Sequence, residues 1–428
     1  MWAWKVAPAL AAGCTIVMKP SELTPLTALM MNALAAEAEL PAGVLNTVPG
    51  LGNTTGDAIA RHMDIDKVAF TGSVPTGKRI SIAAAESNLK KVTLELGGKS
   101  PLLVFASADT DDAAQWTANG IWYNSGQDCC ASSRIYVQAS VFDRYVNQLR
   151  KRALTVAIGA PSDDRTSFGP LISAAQQDKV LGYIASAKEE GARLVAGGRA
   201  WPRSKGFYVE PTILANSANK DLRAGREEIF GPVVIVTPFR DEEHALELAN
   251  DSEYGLAAAV FTGDTRQAIR VARGLDAGSV WVNQYGAVHN NVPFGGFKQS
   301  GVGRELGTYG LEGAQLVGHQ NAADNRLSPD QGRAPQPRRR GAVAHLTVFS
   351  INNMTPRTSH ASSGPSIVSA SSARQNHGVS MLVGMYRTFL QRYMSLPPLY
   401  LFPDNCGYAL PKPSVSVTAN SRRSRSCS

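Results

Sequence analysis

Lys67-Val68-Ala69-Phe70-Thr71-Gly72-Ser73-Val74-Pro75-Thr76-Gly77 is the stretch that decides the fold. Lys67-Val68-Ala69-Phe70 reads as a strand, and the pattern of residues 76–86 reads as a helix. Between them Thr71, Gly72 and Ser73 turn the chain, and the N–H groups at such a helix start suit a pyrophosphate. The same unit recurs on both sides. Residues 14–18 read as a buried strand, and 24–39 as a helix with Pro25 in its first turn. Residues 44–48 form a strand that ends at Pro49-Gly50, 56–63 a helix and 91–96 a further strand. This alternation predicts a parallel sheet covered by helices, as in dinucleotide-binding folds.

The rhythm continues to about residue 316. Residues 102–105, 134–137, 233–236, 257–261 and 279–282 read as strands. Residues 141–154, 175–190, 242–249 and 265–275 carry helical patterns. The chain is therefore expected to be α/β throughout, with a partial Rossmann-type cofactor domain over 1–97 and an α/β catalytic domain over 98–316. Residues 317–428 are expected to form a low-complexity, disordered tail. Seventeen serines follow residue 320, with the run Arg338-Arg339-Arg340 and a Ser-Arg ending, and that segment holds no glutamate.

Charge follows the same division. Of the 43 basic and 35 acidic residues, 13 and 3 lie after residue 320, a local balance of +10 within a chain total of +8. The body is near neutral, so the overall basicity does not mark it as a nucleic-acid binder. No apolar run reaches the length of a membrane span, and the first residues lack a signal-peptide pattern. Five cysteines without a Cys-x-x-Cys pair argue against zinc-finger and thioredoxin-like readings and favour a reducing, cytoplasmic location. No metal site is expected.

Two further motifs carry chemistry. Val92-Thr93-Leu94-Glu95-Leu96-Gly97-Gly98-Lys99-Ser100-Pro101 presents a carboxylate followed by two glycines, which let a ligand or another backbone come close. Gly126-Gln127-Asp128-Cys129-Cys130 presents a thiol 34 positions after Glu95, at the end of an amphipathic helical segment over 113–125. Cys129 is the candidate nucleophile and Glu95 the candidate general base. Cys129 read alone is a small core residue, and Glu95 read alone is a solvated strand-end acid. Cys130 is expected to point elsewhere in a structural role. Asp128, next to the thiol, is expected to raise its pKa unless its side chain turns away.

Both motifs resemble the aldehyde dehydrogenase superfamily. So do Met18-Lys19-Pro20-Ser21-Glu22, Phe70-Thr71-Gly72-Ser73, Glu227-Glu228-Ile229-Phe230-Gly231-Pro232 and Pro293-Phe294-Gly295-Gly296-Phe297-Lys298-Gln299-Ser300-Gly301. The resemblance covers residues 1 to about 316. It implies NAD-dependent oxidation of an aldehyde to a carboxylic acid through a cysteine thiohemiacetal and thioester. It implies that Lys19 and Glu22 face the adenine ribose, with Glu22 favouring NAD over NADP. Gly52 and Gly56 are implied near the adenine, and Phe70, Thr71, Gly72 and Ser73 along the pyrophosphate turn. Leu96 and Gly97 are implied to bind the cofactor, and Glu228 and Phe230 to orient the nicotinamide ribose and ring. Trp122, Tyr123 and Phe294 are candidates for an aldehyde tunnel or for core.

The chain also departs from the family pattern. Relatives carry a Pro-Trp-Asn-Phe-Pro segment just upstream of the point where this chain begins, and its asparagine serves the oxyanion hole. Met1 thus reads as an internal methionine. After Gly307-Thr308-Tyr309-Gly310-Leu311-Glu312 the family continues into an oligomerising strand that this sequence lacks. Impaired folding and activity are expected. Three alternatives accompany the main reading: an inactive dehydrogenase-like fragment whose basic tail binds RNA, one whose tail binds another acidic partner, and an acylating relative that passes the thioester to coenzyme A. Glu95 argues against the last. Partners are a small aldehyde, with neither membrane nor nucleic acid expected for the body.

Overall fold

The computed structural model describes residues 1–202, 205–216, 221–324 and 344–349. Two large sheets organise it. The first is built from β1 (Thr15–Lys19), β2 (Leu45–Thr47), β3 (Ile65–Thr71) and β4 (Lys91–Glu95). The second uses β5 (Pro101–Val104), β6 (Arg134–Gln138), β7 (Arg193–Ala196), β8 (Thr212–Ala215) and β9 (Val233–Phe239). A two-stranded ribbon, β10 (Tyr254–Gly255) with β13 (Phe297–Lys298), flanks it. The second sheet is completed by β11 (Ala257–Phe261) and β12 (Ser279–Val282). Two strands from late in the chain, β14 (Gly301–Val302) and β15 (Ala344–Phe349), join the first sheet.

The seven-stranded sheet runs β12-β11-β5-β6-β9-β8-β7, and every pair but β7–β8 is parallel. Its strands read as continuous apolar runs because both faces are covered. All five residues of β11 and all four of β5 are buried. The helices Thr110–Trp122 and Phe142–Thr155 pack on one face, where Ile121, Tyr145 and Leu149 are fully buried against Val137 and Val236. Asp109, Asp241 and Asp264 start three of its helices, each accepting from backbone N–H groups of the first turn.

The six-stranded sheet runs β14-β4-β3-β15-β1-β2. The parallel register sets Lys19 of β1 beside Val348, Phe349 beside Thr71, and Thr71 beside Glu95. Three candidate functional residues therefore stand at the carboxyl ends of their strands, on one edge, where an open parallel sheet leaves a crevice. β14 runs antiparallel along β4 and sets Gly301 opposite Glu95. β15 lies within the stretch expected to be tail and pairs in parallel with β1 on one side and β3 on the other. Residues 317–324, also expected to be tail, instead continue the helix Gly307–Asp324, and 325–343 and 350–428 lie outside the described residues.

Several elements differ from the sequence reading. Residues 2–11, which the alternation left unassigned, form the helix Trp2–Ala11, with Val6 and Ala9 buried. The helix expected over 56–63 shortens to Asp57–Arg61 behind a π-helical turn, Gly52–Gly56, because Gly-Asn-Thr-Thr-Gly is a poor α-helix former. The helix expected over 113–125 starts earlier, at Thr110, under the Asp109 cap, and ends at Trp122. A 3₁₀ turn, Tyr123–Gly126, follows, in which Asn124 and Ser125 take positive φ of 49° and 57°. Asparagine tolerates this region because its short polar side chain can bond locally, here to the Gln127 carbonyl at 2.9 Å. Strand β7 carried too little apolar pattern to be read, since Arg193 and Leu194 are exposed at the sheet edge. Among the described residues no helix is long and apolar enough to cross a membrane.

Candidate active site

Glu95 ends β4 and is 4% exposed. Cys129 follows the left-handed turn at 124–126 and is half-buried. Both line one cavity of about 690 Å³, a size typical of ligand sites. The two glycines after Glu95 account for this meeting. A Cβ built on Gly98 would stand 2.3 Å from the Cys129 carbonyl oxygen, and one on Gly97 would stand 2.4 Å from the Glu228 carboxylate. Only glycine lets these three segments close on one another. The contact is sealed by the Gly98 N–H, which donates to Glu228 Oε1 at 3.2 Å. Ser300 locks the adjoining loop by donating to the Gly97 carbonyl at 2.7 Å and accepting from the Gly255 N–H at 3.0 Å.

Electrostatics bias both reactive groups towards their protonated forms. Burial pushes the Glu95 carboxyl well above its usual range, and the neighbouring Glu305 carboxylate adds to the rise. Lys5 and Arg304 oppose it. One oxygen, Oε2, is buried without a hydrogen-bond partner. The Cys129 thiol is subject to opposing influences. A hydrogen bond from Cys130 favours the thiolate, but burial and the carboxylates of Asp128, Glu228 and Glu95 together hold the pKa above the ordinary value. Glu228 is raised by burial, against the pull of the Gly98 N–H and of Lys179 and Lys99. Lys99 itself is fully buried with its Nζ unpartnered, and burial with help from Arg134 lowers it to about 7.

The expectation that Cys130 points elsewhere is corrected. Its Sγ lies 3.4 Å from Asp128 Oδ1, and the Cys129 Sγ lies 3.7 Å from the same oxygen. Asp128 has turned towards the thiols, because the Cys130 N–H also donates to that oxygen at 3.2 Å. Tyr285 holds the Cys130 carbonyl through its hydroxyl at 2.7 Å.

The cavity also brings together Thr71, Gly72, Ser73, Leu96, Gly97, Tyr123, Phe230 and Phe294. Ser73 precedes the helix Val74–Glu86, whose first turn contains Pro75 and whose start receives no side-chain cap. The helix thus begins, with its first-turn N–H groups uncapped, directly after the cavity-lining residues Thr71, Gly72 and Ser73, and the buried Thr71 Oγ1 has no partner. Phe230 is held in the left-handed region, φ 58°, and the Gln176 amide donates to its carbonyl at 2.8 Å.

Other predicted positions lie apart. Phe70 is 2% exposed in the core of the first sheet, its ring backing Gly72 instead of lining the cavity. Trp122 is buried in the second sheet's core, which settles the tunnel-or-core alternative for that side chain as core. Lys19, Glu22, Gly52 and Gly56 form a second group beyond the cavity lining. There Lys19 Nζ lies 3.4 Å from Glu22 Oε2, and the Lys19 stem runs 3.7 Å from where a Gly56 Cβ would be.

Sequence reasoning missed Lys5 and Glu305. They form a buried ion pair 300 positions apart, tying the first helix to the segment opposite Phe294. No local pattern signals such a pair; the one available cue was a lysine among apolar residues at 2–11. Trp4, which stacks edge-on against Phe294 with ring centroids 5.2 Å apart, was missed for the same reason.

A sequence model described as the Aldehyde dehydrogenase family matches residues 1–317. An aldehyde dehydrogenase of Aspergillus niger is 50% identical over 312 residues, which cover 73% of this chain and 62% of that protein. Retinal dehydrogenase 2 of Homo sapiens is 50% identical over 311 residues, covering 73% and 60%. The solved structure of the P. syringae indole-3-acetaldehyde dehydrogenase in complex with NAD+ and IAA matches with a TM-score of 0.72 at 48% identity. That match covers 73% of this chain and 63% of the other. The chain thus spans 60–62% of the length of these curated relatives.

Proposed function

Because the chain belongs to the aldehyde dehydrogenase family, we propose that it oxidises an aldehyde to a carboxylic acid with NAD as the hydride acceptor. The observation that carries the reading is the convergence of the Cys129 thiol and the Glu95 carboxylate on one cavity. Cys129, as thiolate, attacks the aldehyde carbon and forms a thiohemiacetal. Conversion of this adduct to a thioester requires loss of a hydride; a bound NAD, its nicotinamide end held by Glu228 and Phe230, would supply the acceptor. Glu95 then deprotonates a water, which attacks the thioester carbon, releases the acid and returns the cysteine.

The residues present fit the cofactor. The uncapped start of Val74–Glu86, with Thr71, Gly72 and Ser73, supplies backbone N–H donors for a pyrophosphate. Gly97 keeps the wall open where a Cβ would collide with Glu228. Glu228 and Phe230 are the candidates to orient the nicotinamide ribose and ring, and Lys19 with Glu22 the adenine ribose. The negative charge of Glu22 disfavours a 2′-phosphate, hence NAD in preference to NADP. In this reading residues 1–97 form the cofactor half and 98–316 the catalytic half, with Tyr123 and Phe294 on the aldehyde side.

The raised pKa values of Cys129 and Glu95 have a kinetic consequence. Both groups act deprotonated, so the rate should climb as pH rises through neutrality into the alkaline range. The test is NADH formation from a panel of aldehydes by the wild-type chain and by Cys129→Ala. The reading requires NADH from the former and none from the latter; equal NADH from both would end it.

A further inference from the structure

We propose that Asp128, Cys129 and Cys130 form a binding site for a thiophilic divalent cation of the zinc group, which masks the Cys129 thiol while bound. One oxygen of Asp128 and the two sulfurs lie within 4.8 Å of one another, and all three residues line the cavity. The Asp128 Oδ1 to Sγ separations are 3.7 Å for Cys129 and 3.4 Å for Cys130. A tetrahedral zinc, with bonds of about 2.3 Å to sulfur and about 2.1 Å to oxygen, spaces its ligands about 3.5–3.8 Å apart. Both oxygen-to-sulfur separations therefore already stand near the edge lengths of a zinc tetrahedron, and the two sulfurs lie within 4.8 Å of each other.

The surroundings favour a cation. Glu95 and Glu228 line the same cavity and place further carboxyl oxygens, hard donors open to a cation, beside the three ligands. Two thiolates and a carboxylate are a soft, anionic donor set that selects zinc-group ions over magnesium or calcium. The supporting shell is in place: the Cys130 N–H fixes the carboxylate, and the Tyr285 hydroxyl fixes the Cys130 carbonyl. The fourth coordination position opens to the cavity, so water or an external chelator reaches the ion. Binding releases the two thiol protons to solvent and forms two metal–sulfur bonds and one metal–oxygen bond, with no change of oxidation state. Adjacent cysteines behind an aspartate fall outside the Cys-x-x-Cys spacing, which is why the sequence did not announce the site.

The consequence for catalysis rests on Cys129 being the nucleophile; the site itself does not. The experiment keeps the two apart by reading no turnover. The full-length chain carrying Cys406→Ser and Cys427→Ser is reduced, freed of metal and titrated with Cd2+, following the sulfur-to-cadmium charge-transfer absorbance. In parallel, alkylation of Cys129 by iodoacetamide is timed by peptide mass spectrometry with and without one equivalent of Zn2+.

The proposal predicts saturation at one equivalent of Cd2+. It also predicts a loss of affinity of about 100-fold or more in Cys130→Ala, since even supporting residues of metal sites are worth about 10–100-fold. Zn2+ should slow alkylation of Cys129 at least about tenfold, and EDTA should restore it. Should Cys130→Ala melt early, Cys130→Ser keeps the volume and removes the soft donor. An unchanged cadmium spectrum in the Cys130 variants, or alkylation indifferent to Zn2+, overturns the site. Cadmium binding by a chain that oxidises no aldehyde would leave the site standing and remove the reading of function.

Discussion

Replacing Gly98 with alanine puts the geometry of the site to a quantitative test. The new Cβ would lie 2.3 Å from the Cys129 carbonyl oxygen, where ordinary contact begins at 3.4 Å. Some segment must therefore yield by about 1 Å. Leu256 Cβ at 3.3 Å and Ser100 Oγ at 3.4 Å already crowd the same position, and the Gly98 N–H is tied to Glu228. Overpacking of this kind costs about 1–3 kcal/mol of stability. A displacement of about 1 Å at a reacting group costs about 100-fold in rate. Differential scanning calorimetry should show a lower Tm, and the alkylation rate of Cys129 should change even under conditions where the variant stays folded. Turnover should fall about 100-fold. Gly182→Ala is the control: the glycine is exposed within Ala174–Glu189, nothing lies within 4 Å of its built Cβ, and alanine there should stabilise by about 0.5–1 kcal/mol. A Gly98→Ala chain with wild-type Tm, thiol reactivity and turnover would refute the close approach of Gly98 to Cys129.

Three further outcomes follow from the structure. Lys5→Met strands the buried Glu305 carboxylate and should cost about 3–5 kcal/mol, measured by urea denaturation; because Lys5 also lowers the Glu95 pKa, the alkaline shift of the rate profile should grow in this variant. Glu95 binds a proton in the folded chain that the unfolded chain has lost above about pH 4.3, so its contribution to stability falls as pH rises from there to its raised native pKa. Glu95→Gln should remove that decline, and melts across the pH range would show it. Thr347→Pro removes a donor from the middle of β15, between β1 and β3, and should lower stability by about 1–3 kcal/mol, with an unchanged melt counting against β15 as a sheet member.

The strand–helix alternation was legible because it rests on local pattern. Runs such as 102–105 and 257–261 are apolar throughout since both faces of the parallel sheet are covered. The glycines at 97 and 98 signalled close approach, though nothing in the sequence said that the approaching groups are Glu228 and the Cys129 backbone. Features that depend on distant partners were not legible. Lys5 and Glu305 meet only after the first helix is laid against the segment carrying Phe294. β15 reads as part of a serine- and arginine-rich tail, and only pairing with β1 and β3 gives it a place. Trp122 and Phe70 were read from their neighbours in the chain. An aromatic side chain on a helix or strand beside a site still faces core when its position on the element points inward.

The most direct test of the central claim is a rapid-mixing measurement of NADH formation with Glu95→Gln beside the wild-type chain. If Cys129 carries the acyl group and Glu95 activates the water, Glu95→Gln should give a burst of NADH approaching one equivalent per active site. Its steady state should then be slower by about 100- to 10,000-fold. A variant that turns over at the wild-type rate, or one that loses the burst together with the steady state while Cys129 still alkylates normally, would contradict the assignment of the two residues to successive steps.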